Sequence, residues 1–329
     1  MMAAPVMWVT LAMSALTAVG IFGPSLIRHA GPALARTPRL SALCLSASIF
    51  ILPTAFLTLI MSLAWALTGP SIFPLQASQV CQQCLDAANP FAAAALRTAI
   101  PSVIFIAVPL VLGAVGIIST AAHYYQRQQN VRRTAQEVLG SGHTQNIQGH
   151  DVVVVFDPRP WAIAFPPHHG GIAISSGALS ELADDELAAV LAHEKAHIQQ
   201  RHHVLTDIIS SFTTPLRWVP FIREATIAVE EYLEIAADQR ACQQVSTPAL
   251  VRALLVLGEK TSPTDSAAAT SGALFAAGTA RISNLVVPNT GHRGYLSTAV
   301  TLSLVLIFAA ISGYILLSHT TALATGCVL

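Results

Sequence analysis

The residues best suited to do chemistry lie in LAHEKAHIQQRHH, residues 191–203. His193 and His197 are four positions apart, a spacing that places both imidazoles on one face of a helix, one turn from each other. Two imidazoles placed in this way can bind one metal ion, and Glu194 beside them can act on a water without being a ligand. This H-E-x-x-H pattern is that of zinc metallopeptidases. The alternative is the polar end of a surface helix with incidental histidines.

A catalytic zinc ion needs a third protein ligand and an open position for water. The segment VEEYLEIAADQRACQQV, residues 229–245, predicts a second helix on which Glu234 and Asp238 are four positions apart. Glu234 is the candidate third ligand, and Asp238 can accept the second N–H of a zinc-bound histidine and fix its tautomer. Glu230 and Glu231 are fallback ligands, because Asp238 is not one turn from either. The alternative is that all of these are solvated helix charges.

This ligand set predicts one bound Zn²⁺, which would acidify a water and polarise the scissile carbonyl. Glu194 would take the proton of the attacking water and deliver it to the leaving amine. The donor that stabilises the oxyanion stays open between several residues, named from position alone: Arg240, His202, His203, His168, His169 and Tyr232.

A helix and a set of strands must position these residues. The helix is predicted over 184–203, with Asp184 as N-cap and no proline or glycine before its end. Apolar runs at 152–156, 161–165 and 172–175, divided by the turn PPHHGG, predict three strands before it. His143, His150 and His292 are expected in solvated loops. The domain is therefore expected to be α+β.

The composition indicates a membrane protein. Of the 329 residues, 53% are hydrophobic and 10% are charged, whereas soluble domains carry about 25% charged residues. Four apolar stretches are long enough to span a bilayer, with Pro53, Pro101 and Pro109 expected to kink rather than end their helices. These stretches are residues 3–22, 40–67, 100–122 and 296–317. The predicted organisation is three spans in residues 1–126, a peptidase domain in 127–292, and a fourth span with a short tail in 293–329.

Arginine placement predicts the orientation. Arg28, Arg36 and Arg39 follow the first span, and Arg127 with its neighbours Arg132 and Arg133 follows the third. The positive-inside rule then places both chain termini outside and the peptidase domain in the cytoplasm. The first span lacks a basic start, so we expect no cleaved signal peptide.

Two other segments carry weaker signals. Cys81 and Cys84 are too few for a zinc site of their own, and are either a redox pair or unrelated thiols. The segment DIISSFTTPLRWVPFIREATIAV, residues 207–229, is apolar but contains two prolines and two arginines. It is therefore a poor span and is expected to be interfacial or buried. The net charge is zero and no basic tract occurs, so we expect no direct nucleic-acid binding.

The segment SSGALSELADDELAAVLAHEKAH, followed by E-x-x-x-D from Glu234 to Asp238, resembles the integral-membrane gluzincin peptidases. The likeness covers about 150–245 and includes a BlaR/MecR-like antibiotic-sensor group and an HtpX/CAAX-protease-like group. In both groups the strand before GGIAISSGAL is an edge that pairs with an extended substrate. The matching residues are Trp161, Ala162, Ile163, Ala164 and Phe165. Trp161 stands where the HtpX group usually has asparagine, so no role of that asparagine is transferred.

The order of the spans favours the BlaR/MecR-like group, with three spans before the zinc domain and one after it. We expect a short form, because the chain stops soon after the fourth span and lacks an extracellular penicillin-binding domain. This resemblance implies regulatory proteolysis of a cytoplasmic partner, a small winged-helix repressor. The alternatives are an HtpX-like quality-control protease and a non-catalytic receptor with a structural zinc site.

Overall fold

A computed structural model describes residues 3–68 and 102–259, together with five isolated positions: Leu285, Ser303, Leu306, Ile307 and Ala310. Apart from the last four of these positions, the predicted fourth span lies outside the described residues. The loop with Cys81 and Cys84, and His292, lie outside them as well.

Three long apolar helices come first in the chain: α1 (Ala3–Leu34), α2 (Pro38–Thr68) and α3 (Ser102–Gly140). Each contains a segment long and apolar enough to cross a membrane. Pro53 and Pro109 lie inside α2 and α3, which continue through them as predicted. α1 and α3 extend well beyond the predicted spans. No glycine interrupts α3 between Gly116 and Gly140, and the helix continues from its apolar half to the domain that contains the sheet.

A four-stranded sheet follows: β1 (His143–Ile147), β2 (His150–Val155), β3 (Ala162–Ala164) and β4 (Ile172–Ser175). The order in the sheet is β1-β2-β4-β3, with β2 parallel to β4 and the other pairs antiparallel. The predicted strands are present with slightly different ends, and β1 was missed because HTQNI has no apolar alternation. His143 and His150 therefore begin strands, and their expected place in loops was wrong. β3 lies at one edge of the sheet.

Five helices complete the described part of the domain: α4 (Ser176–Glu181), α5 (Asp184–Gln199), α6 (His202–Thr213), α7 (Pro220–Ala241) and α8 (Thr247–Glu259). Short 3-10 turns cover Pro167–His169 and Thr214–Leu216. The N-cap of α5 is Ala183 rather than the predicted Asp184. Its N–H donates to the carboxylate of Glu186 over 3.1 Å, which is the half of a capping box that the third helical residue supplies.

The single helix predicted over 184–203 is wrong at its C-terminal end. α5 ends at Gln199, and Arg201 has a left-handed backbone with φ 54°. This left-handed residue turns the chain, so that His202 begins a new helix instead of continuing the old one. The turn brings α6 back beside the end of α5.

α7 connects the domain that contains the sheet to the long apolar helices, because it packs along both α1 and α2. Phe221, Ile222 and Tyr232 are buried in the shared core. Gly23 of α1 leaves room for the ring of Phe221, and any Cβ at that position would collide with it. The helix that carries the candidate third metal ligand is therefore fixed directly against the membrane helices.

Candidate metal centre

His193 and His197 lie one turn apart on α5, with their Nε2 atoms 3.0 Å from each other. His193 is 1% exposed, so its imidazole lies in the interior of the domain. The body of α5 is rich in alanine and leucine, which bury it between the sheet and its helical neighbours. The helix thereby presents both imidazoles to one enclosed point.

Glu234 reaches the same point from α7, which packs against α5. One carboxylate oxygen lies 3.5 Å from Nε2 of His193, and the other lies 3.4 Å from Nε2 of His197. Glu234 is 3% exposed. One ligand atom from each of the three residues fits within 4.8 Å of the others, as ligands of one metal ion must. The fallback ligands Glu230 and Glu231 are not part of this group.

The spacing of the three donors fits a zinc ion. Ligands about 2.1 Å from a tetrahedral zinc ion are separated from each other by about 3.4 Å. The two nitrogens are 3.0 Å apart, and each lies 3.4 or 3.5 Å from a different oxygen of Glu234. Two imidazole nitrogens and one carboxylate are also the donor set of many catalytic zinc sites, which leave a fourth position open.

Asp238 contacts His193 on the side of the imidazole that faces away from the metal position. One of its carboxylate oxygens lies 3.0 Å from Nδ1 of His193, and both side chains are 2% exposed. A carboxylate in this position requires the proton of His193 to be on Nδ1 and leaves Nε2 as the atom that faces the metal position. The spacing of Glu234 and Asp238, one turn apart on α7, produces this arrangement.

His202 supports His197 in the same way, and this role was not predicted from the sequence. The Nδ1 atoms of His202 and His197 are 3.0 Å apart. Burial lowers the pKa of His202 to about 3. His202 is therefore neutral and can accept a hydrogen bond from Nδ1–H of His197. The turn depends on the left-handed backbone of Arg201. Arginine is not a residue type that predicts this conformation, so the position of His202 could not be predicted.

Glu194 follows His193 on α5 and is 3% exposed. On an α-helix the next residue is rotated by about 100°, so Glu194 lies to one side of the ligand face. It is therefore adjacent to the metal position without being one of the three grouped ligands.

β3 forms the wall of the site beside α5. Ala162 belongs to the same buried cluster as Leu191 of α5. Trp161 and Phe165 belong to a cluster on the opposite side of the sheet, with Ala135 of α3. The Trp161 indole donates to Asp157 over 3.0 Å, which anchors the start of the strand. β3 therefore presents small side chains toward the helix that carries the histidines.

The hydrogen-bond pattern of β3 shows which backbone groups face its free edge. The carbonyl of Trp161 accepts from Ser175, and the N–H of Phe165 donates to Gly171. Backbone groups alternate in direction along a strand, so those of Trp161 and Phe165 face β4. The N–H and C=O groups of Ala162 and Ala164 then point to the open edge.

The structure shows the surroundings of five of the six proposed oxyanion donors. The guanidinium of Arg240 donates to Gln243 near the exposed end of α7. Tyr232 is buried toward α1, with its hydroxyl 3.9 Å from where a Cβ of Gly31 would be. His202 lies behind His197. His203 is half-buried on α6, and His168 is exposed in the turn after β3.

Two histidines and a glutamate that converge on one point, with buried polar partners, are the arrangement of a candidate metal centre of the metallopeptidase type. Comparison with known families agrees with this class, since residues 125–285 match the model of peptidase family M48. The matched segment is slightly less than half of the chain, and the peptidases of family M48 are zinc-dependent.

One relative shares a local similarity with the chain. A protein described as "Protease HtpX homolog", from Sulfurihydrogenibium sp. (strain YO3AOP1), is 37% identical over 54 residues. The match covers 16% of this chain and 18% of that relative. No solved structure matches the chain. The two matches support a membrane-type peptidase similar to family M48, and neither supports the BlaR/MecR-like group that the order of the spans favoured.

Proposed function

We propose that this chain is a membrane-anchored zinc-dependent endopeptidase that cleaves protein substrates alongside β3. The observation that carries this proposal is the convergence of His193, His197 and Glu234 on one enclosed point, with Asp238 and His202 directly behind the two histidines. A purely structural site would need a fourth protein ligand, and the described residues supply a group of three.

The residues divide the chemistry between them. Zinc bound at this centre would acidify a water and polarise the scissile carbonyl. Asp238 and His202 hold the two imidazoles in the tautomer that leaves Nε2 free to bind. Glu194 accepts the proton of the attacking water and gives it to the nitrogen of the leaving amine.

The substrate adds a strand to the free edge of β3. The backbone groups of Ala162 and Ala164 supply the hydrogen bonds, which give affinity without strong sequence preference. The small side chains of these alanines allow the substrate backbone to approach α5. The scissile bond is then held beside the metal position.

In the proposed orientation both chain termini are outside and the peptidase domain is in the cytoplasm. A protease in this position could act on two classes of substrate. The first is a cytoplasmic winged-helix repressor, as expected for regulatory proteolysis. The second is damaged membrane protein, which the local match to an HtpX homolog favours. Tyr232 lies at the level of Gly31, only three residues past Arg28. Glu234 is ten residues past Glu224, which pairs with Arg28. Glu234 is therefore about 15 Å or less from the level of Arg28 along α7, so the site is close to the bilayer.

The test compares new protein N-termini in cells that express either the native chain or the Glu194→Gln variant. One or two Glu194-dependent cleavages in a DNA-binding protein would establish regulatory proteolysis. Cleavages spread over many membrane proteins, close to their spans, would establish quality control. If the two strains yield the same N-termini under every stress applied, the endopeptidase proposal fails and a non-catalytic receptor with a bound zinc ion becomes the better account.

A further inference from the structure

The helices α6 and α7 form a hairpin whose tip, residues 213–219, takes no part in the metal centre. In this hairpin tip Arg217 is exposed, and Trp218 is 79% exposed. An exposed tryptophan beside an arginine calls for an explanation, because burying a large aromatic side chain is strongly favourable. The position of the tip along the membrane helices supplies that explanation.

Contacts with α3 give a first measure of its depth. Asp207 of α6 is 4% exposed and accepts hydrogen bonds from Arg127 and Gln128 of α3. From there α6 runs six more residues to Thr213, and the following turn still contacts α3. At 1.5 Å per residue, Thr213 lies about 9 Å beyond Asp207. α6 starts at His202 beside the metal centre, so this direction leads away from the centre. The charge of His168 acts on His203 at that start, and His168 is two residues from Gly170, which lies against Leu139 near the C-terminal end of α3. The other end of α6 therefore points toward the uncharged half of α3.

Contacts with α1 give a second and independent measure. Val219 lies 3.8 Å from where a Cβ of Gly20 would be, and Glu224 forms an ion pair with Arg28 over 3.3 Å. Gly20 precedes Arg28 by eight residues, or about 12 Å of helix. No charged residue lies between them. Both measures place the hairpin tip about 10 Å from the charges of Arg28 and Arg127, on the side of the bilayer. Half of the hydrocarbon thickness is about 15 Å, so the tip enters one leaflet without reaching the other.

The side chains of the tip suit that depth. Tryptophan is enriched where headgroups meet acyl chains, because its ring is apolar and its N–H is polar. A long arginine side chain can extend back to the headgroups. Burial raises the pKa of Glu230, and the positive charges of Arg127 and Arg217 act against this increase. Arg217 is therefore close to the charged layer that Arg127 and Glu230 define.

We propose that the hairpin tip is inserted into the bilayer leaflet nearest the peptidase domain, with Trp218 at the boundary of headgroups and acyl chains. Phospholipid, rather than a protein partner, covers Trp218. The hairpin enters this leaflet and returns without crossing the bilayer. It thereby holds α7, and with it Glu234, at a fixed height below the membrane. This proposal is independent of peptidase activity.

A fluorescent label tests the proposal in the full chain. The five native cysteines are replaced by serine, and Trp218→Cys carries an environment-sensitive nitrobenzoxadiazole label in phosphatidylcholine–phosphatidylglycerol nanodiscs. Gln244→Cys is the control, because Gln244 is exposed beyond the far end of α7, about 33 Å along that helix. Lipids spin-labelled near the top of the acyl chain should quench the label at 218 and leave the label at 244 bright. Aqueous iodide should do the reverse.

A second label, at Thr214→Cys in the same tip, keeps the test valid if the change at 218 disturbs folding. Unchanged far-UV circular dichroism shows that each variant is folded. Equal quenching of 214, 218 and 244 by iodide would place the tip in water and overturn the proposal. If neither quencher reaches the labels at 214 and 218, protein covers the tip. This result would also overturn the proposal.

Discussion

Replacing His202 tests whether this residue positions a metal ligand or only fills space at the start of α6. We expect the His202→Phe variant to fold and to bind zinc more weakly than the native chain. Phenylalanine fills a similar volume but has no nitrogen to accept the hydrogen bond from Nδ1–H of His197. His203→Phe is the matched control, because His203 is the next residue, is half-buried, and forms no hydrogen bond with His193 or His197 in the described structure.

The magnitude follows from the geometry. The two Nδ1 atoms are 3.0 Å apart and His202 is 4% exposed, so its loss leaves an N–H group facing an apolar ring. An unsatisfied buried donor costs about 1–3 kcal/mol. The side chain of His197 keeps 18% exposure, so water can reach it in part, and the lower part of this range applies. About 1–2 kcal/mol corresponds to a zinc dissociation constant raised about 5–30-fold.

The assay is a competition titration of zinc against a chromogenic chelator, with the full chain in detergent. His202→Asn should recover part of the affinity, because its side-chain oxygen can accept in place of Nδ1. The reasoning is refuted if His202→Phe binds zinc as tightly as the native chain. It is also refuted if His203→Phe weakens binding equally, since the loss would then come from a general loosening of α6.

Three further predictions concern the rest of the site. Glu194→Gln should keep one zinc per chain by metal analysis and lower peptide hydrolysis about 10²–10⁴-fold, and loss of the metal itself would contradict its role as base. Asp238→Ala should weaken zinc binding about 10–100-fold in the chelator competition, and native affinity would show that His193 needs no support. Ala164→Pro removes an N–H from the open edge of β3 and should lower kcat/KM about fivefold, or about 1 kcal/mol, without changing zinc affinity. Ile163→Pro, which disturbs pairing with β4 instead, should destabilise the domain, and equal behaviour of the two prolines would argue against substrate pairing at this edge.

The sequence by itself determined the residues with catalytic chemistry and the elements that carry them. The i, i+4 spacing of His193 and His197, and of Glu234 and Asp238, depends only on helix periodicity, which any helix over those residues must obey. The long apolar segments likewise predict spanning helices, because backbone polar groups in lipid must be satisfied within the segment. These features depend on residues that are close together in the sequence, so they can be predicted from the sequence alone.

Tertiary structure decided the remaining features. One left-handed residue, Arg201, ends α5 early, and this turn alone brings His202 to Nδ1 of His197. A continuous helix would have placed the two residues on different faces, five positions and about 140° apart. In the same way, only the packing of α7 along α1 and α2 sets the height of Glu234 and of the hairpin tip relative to the membrane. Such contacts join residues far apart in sequence, and no local period encodes the distance between them.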